Sequence, residues 1–149
     1  GEQEIVPGKS WTDEDGFQHP ANWNIWSDEE KAERGITEIE LETPPDSRLY
    51  DWEYNDDGSI ESSAKPLDDV KASLSTRIKE KQFLLLSKTD WAVVRKADSG
   101  QAVPSNIAEW RAAIRSKADE KEASITGAAN VDALADLLAS GLFDWPELA

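Results

Sequence analysis

Carboxylates are the most plentiful reactive groups in this 149-residue chain, with 31 Asp and Glu against 16 Lys and Arg, a net charge of −15. Acid–base catalysis needs two carboxylates in one pocket whose surroundings push their pKa values apart. The best-placed set is Asp46, Asp51 and Glu53 beside Tyr50, Trp52 and Tyr54, the pairing of acids and rings that glycoside hydrolysis uses. Most acids, however, fall on faces expected to be solvated. The run Glu53–Glu61 resembles the start of a calcium loop, with Gly58 at the sixth place, but the twelfth place, where a bidentate Glu belongs, is Ala64. An Asp-Gly hairpin turn explains the same residues. The single histidine, His19, has no Ser or Cys motif around it, and the chain has no Cys. Triads, thiol nucleophiles, thiolate metal sites and sites with two imidazoles are thereby excluded. No phosphate-binding glycine motif is present. No enzyme, cofactor or metal is expected.

Seven Trp residues carry the other candidate chemistry. Trp11, Trp23, Trp26 and Trp52 lie among acids and the amides of Asn22 and Asn24, as in surfaces that stack rings on sugars; filling a small core that is short of Leu and Ile is the simpler explanation. Trp91, Trp110 and Trp145 belong to the second half. Arg111 and Arg115, four apart on one helix face, can pair with Asp90 and Asp98 or meet an acidic partner, and internal pairing is the simpler use.

The elements that must position these groups divide by charge. Residues 1–63 hold 18 acids and 4 bases, residues 64–149 hold 13 and 12. This asymmetry predicts an acidic β-rich region with one short helix over 1–63 and a helical region over 64–149, joined at Ser62–Pro66. Asp15-Gly16 predicts a hairpin between Trp11 and Phe17. Ser27 and Glu30 form a capping box for a helix over 28–34, ended by Gly35. Ile36–Glu42 alternates apolar residues with Glu38, Glu40 and Glu42 and predicts a strand. Tyr50–Tyr54 predicts another, returning from Ile60. In the second half Leu67, Val70, Leu74, Ile78 and Leu85 mark a helix from Pro66 to about Leu86. Ile107, Trp110, Ile114, Ala118 and Ile125 mark another, capped by Ser105 and closed by Gly127. Between them, Trp91–Val94 should anchor an ordered segment with a helical turn and an inward Trp91. A short helix is expected over Val131–Ser140. The fold class is therefore α+β: a small acidic antiparallel region, then a helical hairpin with a short third helix. The first residues lack a signal peptide's charged and apolar regions, and no apolar run approaches a membrane span, so a soluble cytoplasmic chain is the default.

The run Arg77, Leu84-Leu85, Thr89-Asp90-Trp91, Pro104, Trp110-Arg111 and Arg115 resembles the tail assembly chaperone domain of tailed bacteriophages and is similar to tail-fibre assembly proteins. Trp145-Pro146 matches the Trp-Pro with which that family often finishes, although 29 residues separate it from Arg115. The match covers about residues 75–116. It implies a non-enzymatic phage tail or fibre-associated structural or assembly protein, in the virion tail or in the host cytoplasm during assembly. It would act by docking on tail or fibre proteins, with self-association allowed. The net charge argues against binding nucleic acid or an anionic membrane. The residues expected at the partner contact are Trp23, Trp26, Glu38, Glu40, Glu42, Trp52, Trp91, Arg111 and Arg115. Two other functions fit the composition: a carbohydrate-binding host-recognition module built on the Trp residues, and an acidic DNA mimic.

Overall fold

A computed structural model describes residues 3–148. The fold is α+β, and the chain forms two compact units that divide between Leu41 and Glu42.

In the first unit, β1 (Trp11–Thr12) and β2 (Gln18–His19) pair antiparallel across the Asp-Gly turn, with Gly16 at φ +83°. A 3-10 segment (Ala21–Ile25) carries the buried Trp23 inward. Helix α1 (Asp28–Glu33) opens with the capping box: Ser27 accepts from the Glu30 amide, and the Glu30 carboxylate accepts from the Ser27 amide. Three acids in its first turn face the positive end of the helix dipole. Gly35, at φ +68°, supplies the left-handed turn that ends it.

The strand expected over Ile36–Glu42 does not form. A lone strand leaves its backbone groups without partners, and neither hairpin extends to take this one as a third strand; the Ile36 amide instead donates to Lys31 O at 2.9 Å. Glu42 meets the hairpin of the second unit: its amide donates to Gly58 O at 3.0 Å and its carboxylate accepts from the Ile60 amide at 2.9 Å. Ile39 and Leu41 stay exposed.

In the second unit, β3 (Tyr50–Tyr54) and β4 (Ile60–Ala64) form an antiparallel hairpin in the register Trp52 opposite Ser62. It belongs with the helices, because Leu49 at its base is fully buried in their core and the Tyr50 hydroxyl donates to Asp132. The compact units therefore divide before the hairpin and not at Ser62–Pro66. The charge division moves with the boundary: residues 1–41 hold 11 acids and 3 bases, residues 42–149 hold 20 and 13. The second unit takes its excess acids from residues 42–63, with seven acids and one base, while the helical residues 64–149 stay nearly neutral.

Helices α2 (Leu67–Ser87) and α4 (Ser105–Gly127) are the frame. Their apolar stripes meet antiparallel. Val70, Leu74 and Ile78 pack with Ala118 and Ile125 at one end, and Leu85 with Trp110 and Ile114 at the other. Each of the fully buried Leu and Ile side chains contributes about 1.5–3 kcal/mol. Pro104, not Ser105, stands at the N-cap of α4, and Gly127 is its last helical residue rather than a left-handed stop. Helix α5 (Val131–Ala139), capped by the Asn130 side chain, covers the first cluster with Val131 and Leu134.

The stretch between the long helices is a ten-residue helix, α3 (Asp90–Ser99), ended by Gly100 at φ +74°. Its anchor is Ala92, fully buried, while Trp91, Val93 and Val94 face solvent. The inward Trp91 expected from the sequence is overturned: Ala92 takes the core-facing position of this helix and its neighbour Trp91 turns outward.

Candidate functional site

The expected contact residues separate into structural and open ones. Trp23 is buried, and its indole N–H donates to Lys9 O at 3.0 Å, so its ring belongs to the core of the first unit and not to a contact surface. Trp26 is half-buried, with the Arg34 guanidinium over its ring at 5.0 Å. Glu38 and Glu40 are exposed, Glu38 at 3.8 Å from Lys31. Glu42 is committed to the hairpin, as described, and leaves the acidic face.

Arg111 is buried and acts inside the molecule. Its Nη1 donates to Leu86 O at 2.7 Å and to Thr89 Oγ1 at 2.8 Å and stands 2.9 Å from the Asp90 carboxylate. The turn from α2 into α3 is thus tied to α4 by one guanidinium. A buried cation of this kind cannot greet a partner without abandoning those carbonyl and hydroxyl groups. Next to it, the Trp110 indole N–H donates to Pro146 O at 2.9 Å and fastens the tail. Thr89, Asp90, Trp110, Arg111 and Trp145-Pro146 therefore hold together one end of the helical unit. Arg115, one turn on, is exposed.

Lys121 was not singled out by the sequence. It is buried on α4, and its ammonium donates to Leu142 O at 2.5 Å, holding the carbonyls that follow α5. Burial pushes its pKa down. Its only sequence signal is a position one turn before Ile125, on the buried stripe.

The acid–ring cluster offers no divergent pair of carboxylates. Arg48 hydrogen-bonds Asp46 and holds its pKa at about 2, from an ordinary 3.8. Asp51 lies 3.5 Å from Lys65. The sign for stability follows: the folded pKa of Asp46 is lowered, so its contribution is complete above about 3.8 and is lost as pH falls toward about 2. Urea midpoints measured between those pH values should fall less steeply for Asp46→Asn than for the parent; parallel profiles would remove this ion pair from the account. Trp52 and Tyr54 are part-exposed on one hairpin face, but their rings meet edge to face at 5.4 Å, which presents no common flat platform for a sugar. In the Glu53–Glu61 loop, Asp57 accepts from the Ser59 amide and hydroxyl, and Gly58, at φ +82°, completes a hairpin turn. Among the described residues no three His, Asp or Glu side chains converge to hold a metal.

His19 is buried, stacked on Trp11 with ring centroids 4.2 Å apart, and its Nε2 lies 2.8 Å from Asp13 Oδ2. That hydrogen bond lowers the Asp13 pKa. The histidine ties its own hairpin, a structural use.

What remains open is apolar. Phe83 (69% exposed) and Leu84 on the last turns of α2, with Trp91 (53%), Val93 and Val94 on α3, present five large side chains to solvent within twelve residues. Arg95 lies over the Trp91 ring at 5.0 Å. No residue in this set has a group that does covalent chemistry; the surface can bind and exclude water. No family model, curated protein or solved structure matches the chain.

Proposed function

We propose that this chain is a non-enzymatic bacteriophage tail or tail-fibre-associated structural or assembly protein that works by protein–protein docking. The observation that carries the reading is the exposed row Phe83, Leu84, Trp91, Val93 and Val94. Large apolar side chains left in water on a strongly charged chain mark a contact surface. The row lies within the stretch that resembles tail assembly chaperones. Within that stretch the buried Arg111 ties the turn between α2 and α3, through Leu86 O and Thr89, to α4 and so holds the helix ends that carry these side chains. A rigid surface loses less conformational freedom on binding, which favours docking.

Mass spectrometry of purified virions of the encoding phage, with counted copies, tests the reading together with pull-downs of tail proteins. The double variant Phe83→Ser, Leu84→Ser should lose at least about tenfold in recovered tail protein. Its folding stability should change by no more than about 0.5 kcal/mol per site, since both side chains are exposed. Recovery of tail proteins at the parent level would sink the docking role of this surface.

A further inference from the structure

The stretch of chain that carries the proposed docking surface has the opposite charge to the rest. Residues 77–96 carry six bases and two acids, whereas the rest carry 29 acids and ten bases. Lys88 and Lys96 are exposed in the same stretch of chain as the apolar side chains, and Arg95 covers one face of Trp91. The first unit holds the complementary feature. Ile36–Leu41 belongs to no helix or strand, carries Glu38 and Glu40, and leaves Ile39 (47%) and Leu41 (60%) exposed. One surface is apolar and basic, the other apolar and acidic.

We propose that the Ile36–Leu41 segment of one copy seats on the α2–α3 surface of a second copy, so that the chain associates with itself head to tail. The proposal rests on the docking reading of that surface and names its occupant. Charge selects this pairing. Two α2–α3 surfaces face to face would bring base against base, and two segments would bring acid against acid, whereas segment on surface places Glu38 and Glu40 near Lys88 and Lys96. Ile39 and Leu41 then cover Trp91 and Val94, removing from water the large side chains that each copy exposes alone. Such a contact is heterologous: each joined pair still offers one free segment and one free surface, so further copies can add.

Sedimentation of the full chain over a concentration series is expected to show mass rising above the monomer at about 0.01 M salt and falling back toward it at about 1 M, where screening shortens to about 3 Å. Trp91→Ala should raise the dissociation constant about thirtyfold, as removal of a central aromatic contact does. The double variant Glu38→Lys, Glu40→Lys should lose association as well. Both changes lie on exposed side chains, and circular dichroism checks that each variant is folded. Mixing Trp91→Ala with Glu38→Lys, Glu40→Lys restores a complex, because the first keeps an intact segment and the second an intact surface, and growth stops at the pair. A chain that stays monomeric at low salt overturns the proposal. So does a segment variant that still self-associates, or a mixture that does not pair. If self-association is absent while virion incorporation persists, the occupant is wrong and the docking reading stands. If self-association follows this pattern in a chain absent from virions, the reverse holds.

Discussion

Replacing Trp110 with alanine is expected to lower the unfolding free energy of the helical unit by about 3–5 kcal/mol, the cost of emptying an aromatic-sized space in a core. Trp110 is 7% exposed and packs with Leu85 and Ile114, against Leu86 and Trp145. These contacts are most of the second apolar cluster, so the loss falls on the whole of that cluster. The indole also donates to Pro146 O. Trp110→Phe separates the two contributions: it keeps most of the ring but drops the donor, at about 1 kcal/mol for the lost bond and more if the Pro146 carbonyl is left dry. Urea unfolding followed by circular dichroism gives both numbers. Limited proteolysis adds a local readout, because Trp110→Phe should speed cleavage beyond Gly141 while the long helices keep their protection. An alanine variant with an unshifted midpoint would show that the cluster does not hold the tail.

Arg111→Met should cost about 3 kcal/mol, near the lower end for breaking a buried charged cluster. Methionine keeps the aliphatic stem but leaves the Leu86 carbonyl and the Thr89 hydroxyl without their charged donor. Thr89 retains one bond of its own, from its hydroxyl to Leu86 O at 3.1 Å, which keeps the loss from being larger. Asp90 provides the control. Its side chain is half exposed, so Asp90→Asn should cost about 1 kcal/mol or less. Arg111→Lys should fall between, since an ammonium cannot reproduce the planar fork. Arg111→Met no worse than Asp90→Asn would mean that the surface ion pair, rather than the buried carbonyl and hydroxyl contacts, is what the arginine supplies.

Both residues show how far the sequence reaches. Trp110 is legible because it falls on a stripe at helical spacing, and the partnership of Arg111 with Asp90 follows from an arginine that needs an acid nearby. Pro146 as the acceptor of the Trp110 bond is not legible, since it lies 36 positions further along the chain. The capping box at Ser27 and the left-handed Gly35 are local chemistry and are readable directly. Ile36–Glu42 misleads because alternation records which side chains would share a face and says nothing about whether a partner strand exists. The apolar run Phe83–Leu86 hides its most informative property in the same way: only Leu85 lies on the buried stripe, and hydrophobicity alone does not reveal that Phe83 and Leu84 point away. Lys121 is invisible for the converse reason. A cation on an apolar stripe becomes intelligible only when the carbonyl of Leu142 is brought to it from the far side of α5.

The fastening of Trp110 and Lys121 to Pro146 and Leu142 has a consequence for biosynthesis. Helices α2 and α4 can pair as soon as both have left the ribosome, but their two apolar clusters are closed by Leu142 and Trp145. Until those residues emerge, the nascent helical unit keeps one flank of its core in water and cannot gain its last stabilising contacts. The first unit, compact within the residues up to Leu41, can complete itself much earlier. Synthesis therefore delivers the acidic segment in finished surroundings before the basic apolar surface has a stable platform. The order in which the ribosome releases them delays any pairing of the two until the helical end is locked.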